Sequence, residues 1–380
     1  MLNLRNVFGE VSGAFADLGT FLPIVLGVLS LRQMNPSGVL VGFGLFALAV
    51  ALIYRRPIPV QPMKAVAAVV IAGQLGPSAI AATGVLIGIV LLLLGLSGWI
   101  DRLAKKLPQT LLQGIQMGVG LYLVWAGLKL MQDQWLIGAG LFMLLMLLQR
   151  TLIGSYSVLL IIAGFVGWAL ISGSFSTEIN FGLYWPSWVT FQAVDLWDTT
   201  IGVLFPQLAL TLTNAVVVTS ALAHDLFPND RQRITPKRLA LTNGGLNLLL
   251  APFGAFPMCH GAGGLVVQHR FGARTGLAPA IFGLSCLSLG VFLGPDALKL
   301  LELLPISAVG ALLAVAGVHL ALSRKLLRTK SWQLAVVLIT AVSCVLFNVA
   351  LGLLIGLMTE YLRVRYIEPD PQQAESRKPQ

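Results

Sequence analysis

No charged residue interrupts the run from Ile80 to Leu96, and further uncharged runs extend from Leu136 to Leu148 and from Leu334 to Leu346. Backbone N–H and C=O groups surrounded by hydrocarbon must find partners within the protein, which leaves helices and closed barrels as the available folds. The alternating polarity of barrel strands is missing, so the runs read as membrane helices or their cores, given that a span needs roughly 20 residues. Composition agrees: the chain is 57% hydrophobic and 11% charged, against about half and a quarter in soluble domains. The expected fold class is an all-α membrane protein, with the lipid bilayer as its first partner.

Apolar runs read against turn and charge breaks place segments at 8–30, 37–54, 60–73, 79–98, 109–129, 134–149 and 152–172. A second set follows at 199–222, 237–250, 259–270, 275–294, 305–322, 332–348 and 350–365. Seven segments per half is an odd number, so the second half must run inverted relative to the first. The expectation is 14 transmembrane segments as a 7+7 inverted repeat, with residues 1–172 the first repeat and 199–366 the second. Residues 173–198 form an outer connection, and 367–380 a disordered cytoplasmic tail rich in proline, glutamine and charge.

Basic residues test this arrangement. With the N-terminus in the cytoplasm, 21 of the 25 lysines and arginines fall in inner loops or tails, and only Arg32, Lys129 and Lys299 fall outside. Such a bias fits a multi-pass protein of the plasma (inner) membrane with both termini cytoplasmic. The formal net charge of +10 is spread over short interhelical clusters, so it reads as a topology signal and implies no nucleic-acid partner. Trp185, Trp188 and Trp197 in the outer connection read as an interfacial belt. Glu10 and Asp17 interrupt the first apolar run and no cleavage pattern ends it, so that segment reads as a retained helix.

The third and tenth segments are too short to cross a bilayer, and proline breaks both. Pro59-Val60-Gln61-Pro62-Met63-Lys64 and Phe256-Pro257-Met258-Cys259-His260-Gly261 repeat the Pro-Met pair at a separation of 195 residues. Interrupted helices at matching positions of a repeat point to a transporter's binding site. Prolines 57, 59 and 62 hold the approach to the third segment extended. The two extended stretches are expected to pair, with the half-helices that follow directing their N-termini at one ligand.

Each helix N-terminus carries about half a positive charge, so two of them with Lys64 supply roughly +2, which suits a divalent oxyanion. An ion pair of Lys64 with Glu10 or Asp17 is the competing reading. The substrate-binding candidates are Gln61, Met63, Lys64, Met258, Cys259, His260 and Gly261. Thr20 of the first segment and Gln207, Thr211 and Asn214 of the eighth join them, the last three falling on one helical face. Asp17, deep in its span, and Glu10, nearer the inner interface, are the candidates for a coupling or proton relay. Cys259, Cys286 and Cys344 lie in apolar surroundings without metal-ligand spacing, so neither a disulfide, a metal site nor a cofactor is expected. No paired catalytic groups accompany them, which argues against an enzyme.

The stretch Gly13 to Pro23, the segment Pro59 to Lys64, and the run from Asn243 through Pro252-Phe253-Gly254 to Met258-Cys259-His260-Gly261-Ala262-Gly263-Gly264 resemble the molybdate transporter family, relatives of the sulfate permeases. The resemblance implies a core domain of segments 1–4 and 8–11 that carries substrate against a gate domain of segments 5–7 and 12–14, in a fold whose members commonly form homodimers. It implies a secondary active transporter importing molybdate by alternating access, with a sulfate transporter or an anion channel on the same scaffold as alternatives. Nucleobase permeases of that fold carry a glutamate in the eighth segment, and none lies between Thr199 and Leu222. Inward movement of a dianion opposes an inside-negative potential by about 4.6 kcal/mol per 100 mV, so a coupled proton or sodium ion is expected.

Overall fold

Proline and small polar caps decide where the long helices begin. In the computed structural model, α3 (Pro36–Tyr54) opens with Pro36 behind Asn35, whose Oδ1 accepts the Ser37 N–H at 2.9 Å. The helix α11 (Pro236–Leu250) opens the same way, with Pro236 behind Thr235, whose hydroxyl caps Arg238 N–H. Proline suits these first positions because its missing N–H would have no helical partner there. The structure describes residues 4–30, 34–71, 75–100, 102, 108–148, 150–151, 157–172, 179–190, 200–297, 299, 304–322, 331–347 and 349–366. The tail 367–380 and the flanks of the outer connection, with Trp197, lie outside the described residues.

The remaining helices of the first half are α1 (Leu4–Phe15), α2 (Leu18–Ser30), α4 (Lys64–Ile71), α5 (Pro77–Ser97), α6 (Gln109–Met131), α7 (Trp135–Leu148) and α8 (Ser157–Ile171). In the second half they are α9 (Thr200–Leu210), α10 (Thr219–Leu226), α12 (Ala262–Arg270), α13 (Leu277–Phe292), α14 (Ile306–Ala321), α15 (Ser331–Leu346) and α16 (Val349–Tyr366). Between α9 and α10 the chain winds as a π-helix over Thr211–Val218. Four described helical stretches are long and apolar enough to cross a membrane, or five if the α1–α2 pair is one bent span.

Two features depart from uniform spans. The first segment is broken: α1 and α2 meet at 44° across Ala16 and Asp17. The π-helical stretch coincides with hydroxyls that compete for backbone carbonyls, Thr213 Oγ1 donating to Ala209 O (2.8 Å) and Thr219 Oγ1 to Asn214 O (2.9 Å). Such side-chain bonds loosen the α-helical ladder, and π turns frequently occur at functional sites.

Helix packing follows small residues. The pairs α3 with α13, α5 with α11, and α6 with α14 are the most extensive contacts. A methyl built on Gly44 would lie 2.9 Å from Gly283 O, and one on Gly88 the same distance from Gly244 O. Such close approach is the small-residue packing expected where lipid offers no hydrophobic drive. One large apolar core joins α2 to α6, α9 to α13 and the π-helix, while a second links Leu26 of α2 with Met131, Leu145, Ile161 and Leu312. Residues 179–190 run extended over the ends of α13 and the turn at 251–253, through Gly182 N–H to Phe292 O (3.1 Å), Tyr184 N–H to Val291 O (2.8 Å) and Val189 N–H to Pro252 O (2.8 Å). Trp185 and Trp188 on this strap are exposed, as an interfacial belt requires.

Candidate functional site

The two proline-broken stretches meet. Gln61–Pro62 (β1) and Met258–Cys259 (β2) pair antiparallel, Gln61 opposite Cys259 and Pro62 opposite Met258, and Met63 N–H extends the pairing to Pro257 O at 2.9 Å. The pairing stays short, because Pro62 lacks a donor and the half-helices α4 and α12 begin at Lys64 and Ala262. Asn247 of α11 fastens the crossing from one side: its Oδ1 accepts Met258 N–H at 2.8 Å and its Nδ2 donates to Met258 O at 2.7 Å.

A cavity of about 40 Å³ borders this crossing. It is lined by Gln61 of β1, Lys64 of α4, Cys259 of β2, Gln207 and Leu210 of α9, Asn214 of the π-helix, Gln116 of α6 and Leu320 of α14. Lys64 stands in the first turn of α4, where like charges repel it from the helix end, so the place favours an anion beside it. Gln61 is buried and donates from Nε2 to Asp17 Oδ2 at 2.5 Å, while Thr20 N–H donates to the Asp17 backbone carbonyl at 3.0 Å. Asp17 thus reaches the cavity wall through one carboxamide, and the Lys64 charge acts on it electrostatically. Among the described residues Lys64 makes no ion pair with either carboxylate.

Glycine is required where these groups meet the start of α12. A methyl on Gly261 would overlap the Gln61 carboxamide, and one on Gly264 would sit 2.5 Å from Asp17 Oδ2 and 2.8 Å from Pro59 Cβ. The helix ends are less free than the sequence reading assumed. Gln207 Oε1 accepts Ala65 N–H at 3.0 Å and so caps α4, its own Nε2 being held by Thr211 Oγ1 at 3.0 Å. Thr211 therefore positions Gln207 and does not line the cavity.

Several expected contacts lie elsewhere. His260 is fully buried with its ring nitrogens against Pro59 O (3.1 Å) and Thr242 Oγ1 (3.0 Å), and its carbonyl accepts Thr219 Oγ1 (3.0 Å). The ring is wedged between Phe46 and Tyr54, and Tyr54 OH meets Thr242 at 2.7 Å. His260 ties the two proline stretches together and does not face the cavity, because both nitrogens are occupied by protein. Met63 and Met258 are fully buried in the apolar core and serve through their backbones. Glu10 Oε1 accepts the N–H groups of Arg274 (3.0 Å) and Thr275 (2.9 Å), anchoring the turn before α13, while its Oε2 is buried without a hydrogen-bond partner among the described residues.

Sequence reasoning missed Gln116, Asn247 and Thr242. Gln116 was legible as an uncharged polar residue inside an apolar segment, a feature that marks pathways as readily as packing. Asn247 gave the same signal within Leu246 to Leu250, but its task, satisfying backbone that only the tertiary crossing exposes, was not legible. Among the described residues no three of His, Cys, Asp or Glu converge as metal ligands.

The family described as "Molybdate transporter of MFS superfamily" matches residues 9–123 and 199–320, the two stretches that supply every residue of this cavity. The chain belongs to the molybdate transporter family. Among members of that family, Molybdate transporter 2 of Arabidopsis thaliana is 31% identical over 406 residues, spanning 92% of this chain and 86% of the relative. Molybdate transporter 1 of Chlamydomonas reinhardtii is 26% identical over 92% of this chain and 90% of its own length. The transmembrane domain of the cyanobacterial bicarbonate transporter BicA superposes with a TM-score of 0.64 at 17% identity, covering 93% of this chain and 98% of that one. Murine Solute Carrier 26 family member A9, an anion transporter solved in its inward-facing state, gives 0.65 at 14% identity over 95% of this chain and 68% of its own. This chain thus shares the all-helical membrane fold of these two proteins, and its membership of the molybdate transporter family makes it an integral membrane anion transporter.

Proposed function

We propose that the chain is a secondary active transporter that imports molybdate by alternating access, with sulfate as a competing substrate and proton coupling through Asp17. One observation carries the substrate class: Lys64 lines a small cavity together with the carboxamides of Asn214 and Gln116, which have no hydrogen bond among the described residues. Cation plus neutral donors without an opposing carboxylate in the wall is the chemistry of an oxyanion site. The names of the family members supply the choice of molybdate.

Charge counting supports the coupling. Lys64 and two helix ends give roughly +2, and an ionised Asp17 reduces this to roughly +1. A dianion is matched only when Asp17 carries a proton, so proton and dianion favour each other's binding, and by linkage equally. The Gln61 bridge links that carboxyl to the cavity wall.

The inverted repeat is supported by reciprocal packing. The second predicted segment, as α3, lies along the eleventh, α13; the ninth, as α11, lies along the fourth, α5, its counterpart pair. Extending this to 14 spans with cytoplasmic termini in the plasma (inner) membrane rests on the basic-residue bias, and the division into core and gate domains rests on the resemblance to the family. The test is uptake of labelled molybdate into proteoliposomes with imposed proton or sodium gradients, sulfate competition and a Lys64→Gln variant. Saturable uptake with counterflow, driven by a proton gradient and lost in Lys64→Gln, is expected. No uptake by folded wild-type protein under any gradient refutes the proposal, and gradient-following currents without counterflow replace the carrier by a channel.

A further inference from the structure

Seven of the eight cavity-lining residues fall into a simple pattern. Gln61, Lys64 and Cys259 come from the strand crossing and its half-helix, Gln207, Leu210 and Asn214 from the α9–π stretch, and Leu320 from α14. The eighth, Gln116, projects from α6, whose main packing partners are α14 and α15, not the crossing. On that side Leu320 offers no donor, so any oxyanion oxygen turned toward α6 and α14 depends on Gln116 alone.

The α6 helix carries a second glutamine one turn earlier, and the two differ. Gln113 has a partner within the protein, whereas Gln116 has neither a hydrogen bond nor an ion pair among the described residues. A glutamine kept for helix–helix adhesion would be bonded to a neighbouring helix. An amide that lines the cavity and bonds nothing in the protein is available to whatever enters.

We infer that Gln116 is a substrate-reading residue: its carboxamide N–H completes the hydrogen bonding of a tetrahedral oxyanion from the side opposite the strand crossing, and it favours the larger anion. This rests on the oxyanion reading of the cavity. An anion held against Lys64 turns its far oxygens toward α6, and a larger one reaches farther. The same contact joins α6 to the crossing through the ligand, so separation of α6 from the crossing releases one side of the anion first.

The test measures equilibrium binding of labelled molybdate and labelled sulfate to full-length protein in detergent, with Gln116→Leu, Gln116→Asn and Gln116→Glu. Loss of a hydrogen bond to a charged ligand predicts that Gln116→Leu weakens molybdate binding about tenfold or more. Sulfate binding weakens less, so the molybdate-to-sulfate affinity ratio falls. Gln116→Glu, nearly the same shape with one negative charge, abolishes binding of both anions while the protein elutes as folded wild type does. If Gln116→Leu does not fold, Gln116→Asn carries the test, with its shorter amide losing molybdate affinity in preference to sulfate. Wild-type binding with unchanged affinities in the folded variants overturns this inference alone, and an equal loss for both anions overturns its selectivity part. Wild-type protein that binds neither anion overturns the oxyanion reading and this inference together.

Discussion

Asn243 and Asn247 lie one turn apart on α11, both are fully buried, and truncating them should have unequal effects on stability. The Asn247 side chain makes three hydrogen bonds, to Met258 N–H (2.8 Å), Met258 O (2.7 Å) and Asn243 O (2.7 Å). The Asn243 amide has no partner at either atom. Asn→Ala removes the same atoms at both places, so helix propensity and cavity terms largely cancel in the comparison. Asn247→Ala leaves the N–H and C=O of Met258 buried without partners, and at about 1–3 kcal/mol for each orphaned group the cost is about 2–6 kcal/mol. Asn243→Ala removes an unpaired amide from the interior, which offsets its cavity cost. The difference between the two variants is therefore expected to exceed about 2 kcal/mol. Thermal or denaturant unfolding of the purified variants in one detergent measures it, with molybdate affinity as a second readout, because Asn247 holds the strand that presents Cys259. Equal stabilities for the two variants, or a more damaging Asn243→Ala, would refute the claim that the crossing depends on this clamp.

Replacing Asp17 by Asn should abolish the stimulation of uptake by an inward proton gradient while leaving anion binding intact. Wild-type affinity should rise as pH falls, by at most tenfold per unit for a single linked proton, and that of Asp17→Asn should stay flat; a variant that keeps the wild-type pH profile moves the coupling elsewhere. Gly264→Ala places a methyl 2.5 Å from Asp17 Oδ2 and 2.9 Å from Gln61 Nε2, so it should disrupt their bond and stop transport. Gly263→Ala meets nothing within 4 Å and is the tolerated control; equal transport by both variants would refute the close approach. At the outer strap, the Asn180 N–H and Lys299 beside Asp296 hold its carboxyl below the usual carboxylate range. A depressed native value means the contact stabilises the fold above the ordinary aspartate pKa and is lost as pH falls through the lowered one. Tryptophan fluorescence of the strap, followed from neutral to acid pH, should therefore change at lower pH than an ordinary aspartate titrates, and Asp296→Asn should remove that step.

The legible part of this site was whatever the backbone must do in hydrocarbon. Prolines at 57, 59, 62 and 257 forbid helix, exposed peptide groups must then pair inside the protein, and the crossing of β1 with β2 follows from the two matching interruptions. Lys64 was legible for the same reason, since its cost in a membrane demands a compensating partner. What the sequence hid was division of labour among polar residues. His260 sits beside Cys259 in the chain, yet only Cys259 lines the cavity, because the Pro59 carbonyl and the Thr242 hydroxyl had to be satisfied by some buried donor or acceptor. Glu10 and Asp17 share one apolar segment, yet a break at Ala16 and Asp17 separates an anchor for the turn before α13 from a carboxyl wired to Gln61. A polar residue in a membrane protein has two reasons to exist, relieving backbone or meeting a solute, and spacing alone cannot separate them. Partnering can: His260, Asn247 and Thr211 are spoken for within the protein, whereas the side chains of Lys64, Asn214 and Gln116 face the cavity without a hydrogen bond among the described residues, which is where an arriving oxyanion finds its donors.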